Sequence, residues 1–333
     1  MNKVKIAVLD SGMAREISDT RIVYGRQFYW DHFEERIRIN NDITDYNGHG
    51  TACVETILNI CPQAEIYVIK MLGISGRTSK KILIKAIKHA LELSVNVIVV
   101  AANVLDENEC DEIKKICLQI QKYNLVMLVA VQNGKNRSAI FNDKNIIGVI
   151  GAVDLVAPFC FCVNEDVQMV CNSSPIIIRG RKGMWQIFQG NSKATAMAAG
   201  HVANYLLMNE LQVSGLYENL DSATKMMMLQ QINRTHINKK SFSKKREAFY
   251  ANNDLQYQKF IYLLCECINC SDVKMIRQSD LLRYQNGIWM KNIDSFLDLL
   301  KDKLDVKLDM INVTDLTWAY QFYEKYIIKD REN

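Results

Sequence analysis

Nowhere does the chain of 333 residues hold a run near the ~20 apolar residues that a membrane span requires. Nor does it open on a secretion signal. Met1-Asn2-Lys3-Val4-Lys5-Ile6-Ala7-Val8-Leu9-Asp10 is a short apolar strand closed by a carboxylate, without the ~7–15-residue apolar core and small-residue cleavage site of a signal. Charge imbalance is lacking too: a net +4 over this length gives no basis for nucleic acid or an anionic membrane as partner. There is no internal repeat and no low-complexity tract. The ten cysteines show no disulfide framework, which points to free thiols and a reducing, cytoplasmic setting. Cys265, Cys267 and Cys270 are the tightest group, but no fourth ligand follows and their surroundings read as amphipathic helix, so no metal is assigned there.

What the sequence does contain is a composition with 49% hydrophobic and 23% charged residues, enough for a sizeable core. Up to about Gln230, β-rich runs (Lys5–Leu9, Glu65–Lys70, Val95–Ala101, Leu125–Val131, Ile146–Ala152) alternate with helical patterns (Thr51–Leu58, Ser79–Leu93, Asp111–Tyr123). Strands separated by helices predict βαβ units, hence an α/β fold with a mostly parallel sheet and helices on both faces. Val97-Ile98-Val99-Val100-Ala101 is apolar throughout, as a strand covered on both faces should be. Residues 1–234 are taken as the first domain. Residues 235–253, with the polar and basic stretch Asn238–Glu247, read as a linker. Residues 254–330 are expected to form a small all-α domain, from the apolar spacing of Phe260, Ile261, Leu264 and Ile268, of Ile293, Phe296, Leu297, Leu300 and Leu304, and of Leu316, Tyr320, Tyr323 and Ile327.

Four short motifs carry chemistry, and each lies where a strand ends or a helix begins. Asp10-Ser11-Gly12 closes the first strand. His49-Gly50-Thr51-Ala52-Cys53 opens a helix after the polar loop Asp45-Tyr46-Asn47-Gly48. Gln132-Asn133-Gly134 ends the strand Leu128–Val131, and Gly190-Asn191-Ser192-Lys193-Ala194-Thr195-Ala196 opens a helix running to Met208. A serine hydroxyl needs a base within hydrogen-bond reach, an imidazole with pKa ~6.5 can take and return a proton near neutrality, and a carboxylate fixes the imidazole's tautomer.

These motifs, in the chain order Asp, His, Ser, resemble the subtilase family over roughly residues 3–230. The resemblance implies a subtilisin-like fold and a serine endopeptidase. Ser192 would be nucleophile, His49 general base and acid, Asp10 the orienting carboxylate and Asn133 an oxyanion donor. No cofactor is implied for the chemistry. A structural calcium stays open; Asp42 and Asp45 do not have the spacing of a recognised calcium loop. His32, His89, His201 and His236 are given no catalytic role.

Departures from the family are Asn191 for its threonine, Ala196 for its proline and Val54 for a smaller residue. Ala101-Ala102-Asn103 replaces a Ser-Leu-Gly-like substrate-binding edge, which implies an altered and narrow preference. Short cytoplasmic members of the family include peptidases that remove leaders from ribosomally made, modified peptides such as lantibiotics. That is the expected function, with a peptide or modified precursor as partner. General intracellular proteolysis and a catalytically silent peptide-binding adaptor are the alternatives. No folding propeptide of the secreted kind is expected. Its C-terminal stretch resembles a carrier-protein fold lacking the attachment serine. Gly287-Ile288-Trp289-Met290 stands where Gly-x-Asp-Ser would be, and Asp294-Ser295-Phe296 comes more than a turn too late, so no phosphopantetheine is expected.

Overall fold

A computed structural model of the chain describes residues 3–17, 19–102, 111–131, 146–153, 155, 157–161, 167–232, 254–268, 293–306, 308–317 and 319–328. It divides into two compact units, Met1–Ser174 with Ile178–Ile232, and Pro175–Ile177 with Asn233–Asn333.

The first unit opens with β1 (Val4–Asp10), then β2 (Ile22–Asp31) and β3 (Arg36–Asn40). Helix α1 (His49–Ile60) leads to β4 (Ala64–Lys70), α2 (Lys80–Glu92) to β5 (Val97–Val100), and α3 (Asp111–Lys122) to β6 (Val126–Ala130) and β7 (Ile146–Ala152). Short strands β8 (Phe159–Phe161), β9 (Met169–Asn172), β10 (Ile176–Arg179, its first two residues counted with the second unit) and β11 (Trp185–Phe188) precede α4 (Gly190–Met208) and α5 (Leu216–Ile232).

Nine strands form one sheet in the order β3-β2-β4-β1-β5-β6-β7-β9-β8. All pairings in it are parallel except β2–β3 and β8–β9. Strands β5 and β6 are buried along their whole length, as strands covered on both faces are. Ala7, Leu9, Ile98, Val100, Met127 and Val129 pack with α2 and α3 in one core cluster. The opposite face carries α4, which runs along β1, β5, β6, β7 and β9 with α1 beside it. Gly200 lets α1 and α4 meet closely: a Cβ there would lie 2.7 Å from Ile60 Cβ. Asn204 Nδ2 donates to Ile60 O across the same crossing at 2.9 Å.

After β1 the chain places β2, β3 and β4 on one side of it and then crosses to β5 on the other. Such a reversal opens a crevice at the carboxyl ends of the strands, where ligands bind in open α/β sheets. Asp10 is the last residue of β1, at the mouth of that crevice.

The second unit contains α6 (Leu255–Ile268), α7 (Ile293–Leu304), β12 (Met310–Asn312), a 3-10 turn (Val313–Thr317) and α8 (Ala319–Tyr323), which passes into a π-helical turn (Glu324–Ile328). Its core is aromatic: Phe260 stacks on Phe322 with centroids 5.8 Å apart, and Tyr257 meets Tyr323 edge-on at 5.0 Å. Asp254 accepts from Gln256 and Tyr257 N–H and from Tyr323 Oη, tying the start of α6 to α8. The strand Met310–Asn312 departs from the all-α expectation; after it, Val313 N–H donates to Pro175 O at 3.0 Å. The single helix expected through Leu316 and Ile327 is a 3-10, α and π succession instead. The 235–253 linker, Cys270 and the Gly287–Met290 stretch lie outside the described residues.

Candidate active site

Asp10 is 1% exposed at the end of β1. Its Oδ1 accepts the Ser11 N–H at 2.7 Å and faces His49 Nδ1 at 2.8 Å. The turn after it has to be glycine: Gly12 has φ +116°, and a Cβ there would fall 2.2 Å from Ile43 O.

Helix α1 begins against this turn, and its unsatisfied N–H groups are met from two sides. Gly50 N–H donates to Ser11 Oγ at 2.9 Å. Asp45 Oδ1 accepts from Asn47 and Gly48 N–H, while its Oδ2 accepts from Thr51 N–H and Oγ1 at 2.9 and 2.6 Å. Burial alone would push the Asp45 carboxyl up, but these donors outweigh it and hold the pKa below its ordinary value. Asp45 therefore stays ionised and fixes the first turn of α1, from which His49 projects.

The His49 side chain is 28% exposed, with Phe188 edge-on at 5.6 Å. Burial opposes its imidazolium, but the Asp10 carboxylate more than offsets this and raises the pKa above the ordinary value. One helical turn on, Cys53 Sγ lies 3.8 Å from both Asp10 Oδ2 and His49 Nδ1. Burial lifts this thiol to about 11, so it is uncharged at neutral pH and acts as packing against the pair. Cys53 carries no role on sequence alone; its i+4 spacing from His49 is the signal that could mark it. Among the described residues, Asp10, His49 and Cys53 are the ligand-type side chains close enough to share an ion. An ion there would compete with the Asp10–His49 hydrogen bond.

Ser192 is the third residue of α4, after Gly190 at φ +80°. Its Oγ donates to Ala101 O at 2.8 Å. Ala101 directly follows β5, the strand paired with β1, so the serine hydroxyl lies at the same edge of the sheet as Asp10. Asp10 and His49 are thus in direct contact, while Ser192 shares their sheet edge with its hydroxyl turned to a backbone carbonyl. Asn133 and Asn103 lie outside the described residues. The strand that leads to Asn133 is nonetheless tied to the serine turn. Asn191 Nδ2 donates to Val131 O at 2.7 Å, and its Oδ1 accepts from Gly151 N–H at 2.8 Å.

The other histidines and acids stand apart. His32 is exposed, and His89 on α2 bonds Tyr24 Oη at 2.6 Å. His201, further along α4, is held to about 4 by burial. Asp42 bonds Thr44 and Arg15.

A family model described as "Subtilase family" matches residues 1–238. The intracellular serine protease of Paenibacillus polymyxa is 27% identical over 220 residues, covering 60% of this chain and 65% of that protein. The major intracellular serine protease of Bacillus subtilis (strain 168) is 25% identical over 228 residues, 62% of this chain and 67% of that protein. Subtilisin DY of Bacillus licheniformis is 28% identical over 104 residues, covering 28% and 35% of the two chains. The chain thus spans about two thirds of the length of the first two.

Proposed function

Since the chain belongs to the subtilase family, we propose that it is a serine endopeptidase in which Asp10, His49 and Ser192 act as the catalytic triad. The observation that carries this reading is the 2.8 Å contact between buried Asp10 and His49 Nδ1 at the sheet edge where α4 presents Ser192. With Nδ1 directed at the carboxylate, Nε2 is the nitrogen free to take the Ser192 proton. Rotation of the hydroxyl away from Ala101 O frees it to attack a peptide carbonyl. Asp10 then stabilises the imidazolium, which returns the proton to the leaving amine; water repeats the cycle on the acyl-enzyme. The oxyanion is received by the Ser192 N–H at the start of α4 and by the Asn133 side chain.

The finer reading is removal of a leader from a ribosomally made, modified precursor in the cytoplasm. Support comes from Ala101 and Ala102, both buried, in place of the open family edge, which favours a restricted substrate. The second unit then contributes recognition of the precursor and carries no prosthetic arm. General intracellular proteolysis is the second reading, favoured by the relatives' names. Incubation with a leader-bearing precursor and with an unfolded protein such as reduced casein separates them by mass spectrometry. One cut at the leader junction with casein intact supports leader removal. Many cuts in casein support general proteolysis, and no cleavage of either contradicts the peptidase reading.

A further inference from the structure

Lys193 follows the proposed nucleophile, yet its side chain is turned inward and the residue is only 1% exposed. Its Nζ donates to Ser174 O at 2.7 Å and to Asn172 Oδ1 at 3.2 Å. Among the described residues no carboxylate acts on it. A lysine buried without a counter-ion costs stability.

The segment it grips adjoins the serine turn. Asn172 Oδ1 also accepts the Ser174 N–H at 2.8 Å, and Asn172 Nδ2 donates to Leu155 O at 3.1 Å. Ser173 N–H donates to Ala152 O at 2.9 Å, and Ser173 O accepts the Gly190 N–H at 3.2 Å. Gly151 permits this approach, since a Cβ there would lie 2.3 Å from Ser173 Cβ and 3.1 Å from Asn191 Oδ1. Residues 172–174 are therefore the wall against which Gly190, Asn191 and Ser192 turn into α4, and the Lys193 ammonium fastens helix to wall.

We propose that Lys193 is a positioning residue for Ser192: its ammonium clamps the 172–174 segment to the first turn of α4 and so fixes the nucleophile and its N–H. This role rests on the serine-peptidase reading above. Burial lowers the Lys193 pKa to about 8, so the charge-assisted bonds weaken just above neutrality. The facing titratable groups are Cys171 on β9 and, beside it, Cys160 on β8. Burial raises both thiols, so neither supplies a compensating negative charge in that range.

The test compares the wild type with Lys193→Met, an apolar replacement of similar length, by fluorophosphonate labelling rate from pH 6 to 10 and by thermal melting. The variant is expected to melt at or above the wild type, because a buried charge has gone, yet to label about 10-fold more slowly at neutral pH, because a slightly misplaced nucleophile loses rate steeply. The His49 rise is common to both proteins, so the ratio of wild-type to variant rate is read: it should fall severalfold through about pH 8, where the ammonium is lost. A folded variant that labels at the wild-type rate, or a ratio that stays constant across pH 8, would overturn the role. If Lys193→Met does not fold, Lys193→Gln is compared in the same way and judged by the same two outcomes. No labelling of the wild type at any pH removes the peptidase reading and this role with it. A labelled wild type with an unchanged variant removes only this role.

Discussion

Replacing Asp10 by asparagine tests the pairing on which the site is built, and its effect can be worked from the structure. The carboxylate is 1% exposed and 2.8 Å from His49 Nδ1, so the substitution keeps the shape and removes the charge. When His49 takes the Ser192 proton, an imidazolium forms with its charge centre about 4 Å from the carboxylate; at an effective dielectric of ~20 that attraction is ~4 kcal/mol, equivalent to about a thousandfold in rate. The substituted side chain can also present its amide to Nδ1 and favour the wrong tautomer, bringing the expected loss in turnover to about 10³–10⁴-fold. A second signature follows from the raised His49 pKa. The base works only when neutral, so the wild-type rate should rise with pH through a midpoint above the ordinary ~6.5. Without the carboxylate, burial is the largest remaining influence and that midpoint should move down. Hydrolysis of a chromogenic peptide from pH 5 to 10, with circular dichroism to confirm folding, reads both effects. A folded Asp10→Asn variant that loses less than tenfold in turnover, or keeps its acid midpoint, would refute the reasoning.

Asn191→Ala should leave the serine chemically intact but lower turnover about 10–100-fold, by freeing the Val131 strand end and Gly151 from the nucleophile turn; an effect on the Michaelis constant alone would contradict this. Asn133→Ala should lower turnover by ~100–1,000-fold with little change in the Michaelis constant, and a loss confined to affinity would make Asn133 a binding residue. His201 is held to about 4 by burial, and its Nε2 has no hydrogen-bond partner among the described residues. Between pH ~6.5 and about 4 the unfolded chain binds one more proton at this site, so stability falls as pH drops, by about 3 kcal/mol in all. Thermal melts should show that loss in the wild type and a smaller one in His201→Gln; equal losses would show that His201 is not its source.

The parallel core was legible because its strands are continuous apolar runs spaced by amphipathic helices, and Ile146–Ala152 keeps its predicted bounds. The hairpin of β2 and β3 was not. Its residues mix Tyr24, Arg26, Gln27 and Arg38 with apolar ones at a half-buried sheet edge, so neither a buried-strand run nor a clean alternation emerges. Asp10, His49 and Ser192 stand out in the sequence because their residue types and chain order form a recognisable set, and their catalytic roles are proposals. Asp45 read as one more polar loop residue, since nothing local shows that a later helix start will enclose it. Lys193 was passed over because lysine ordinarily marks a solvated face. The acceptors that bury it come from β9 and the residues after it, about twenty positions earlier in the chain. The strand Met310–Asn312 has three residues, too few for any periodicity to register.

The most direct test of the central claim is to treat the intact protein with a fluorophosphonate and map the adduct by peptide mass spectrometry. The account predicts a single adduct on Ser192, formed faster as His49 loses its proton and absent from Ser192→Ala. An unlabelled native protein, an adduct on another residue, or labelling that persists in Ser192→Ala would contradict it.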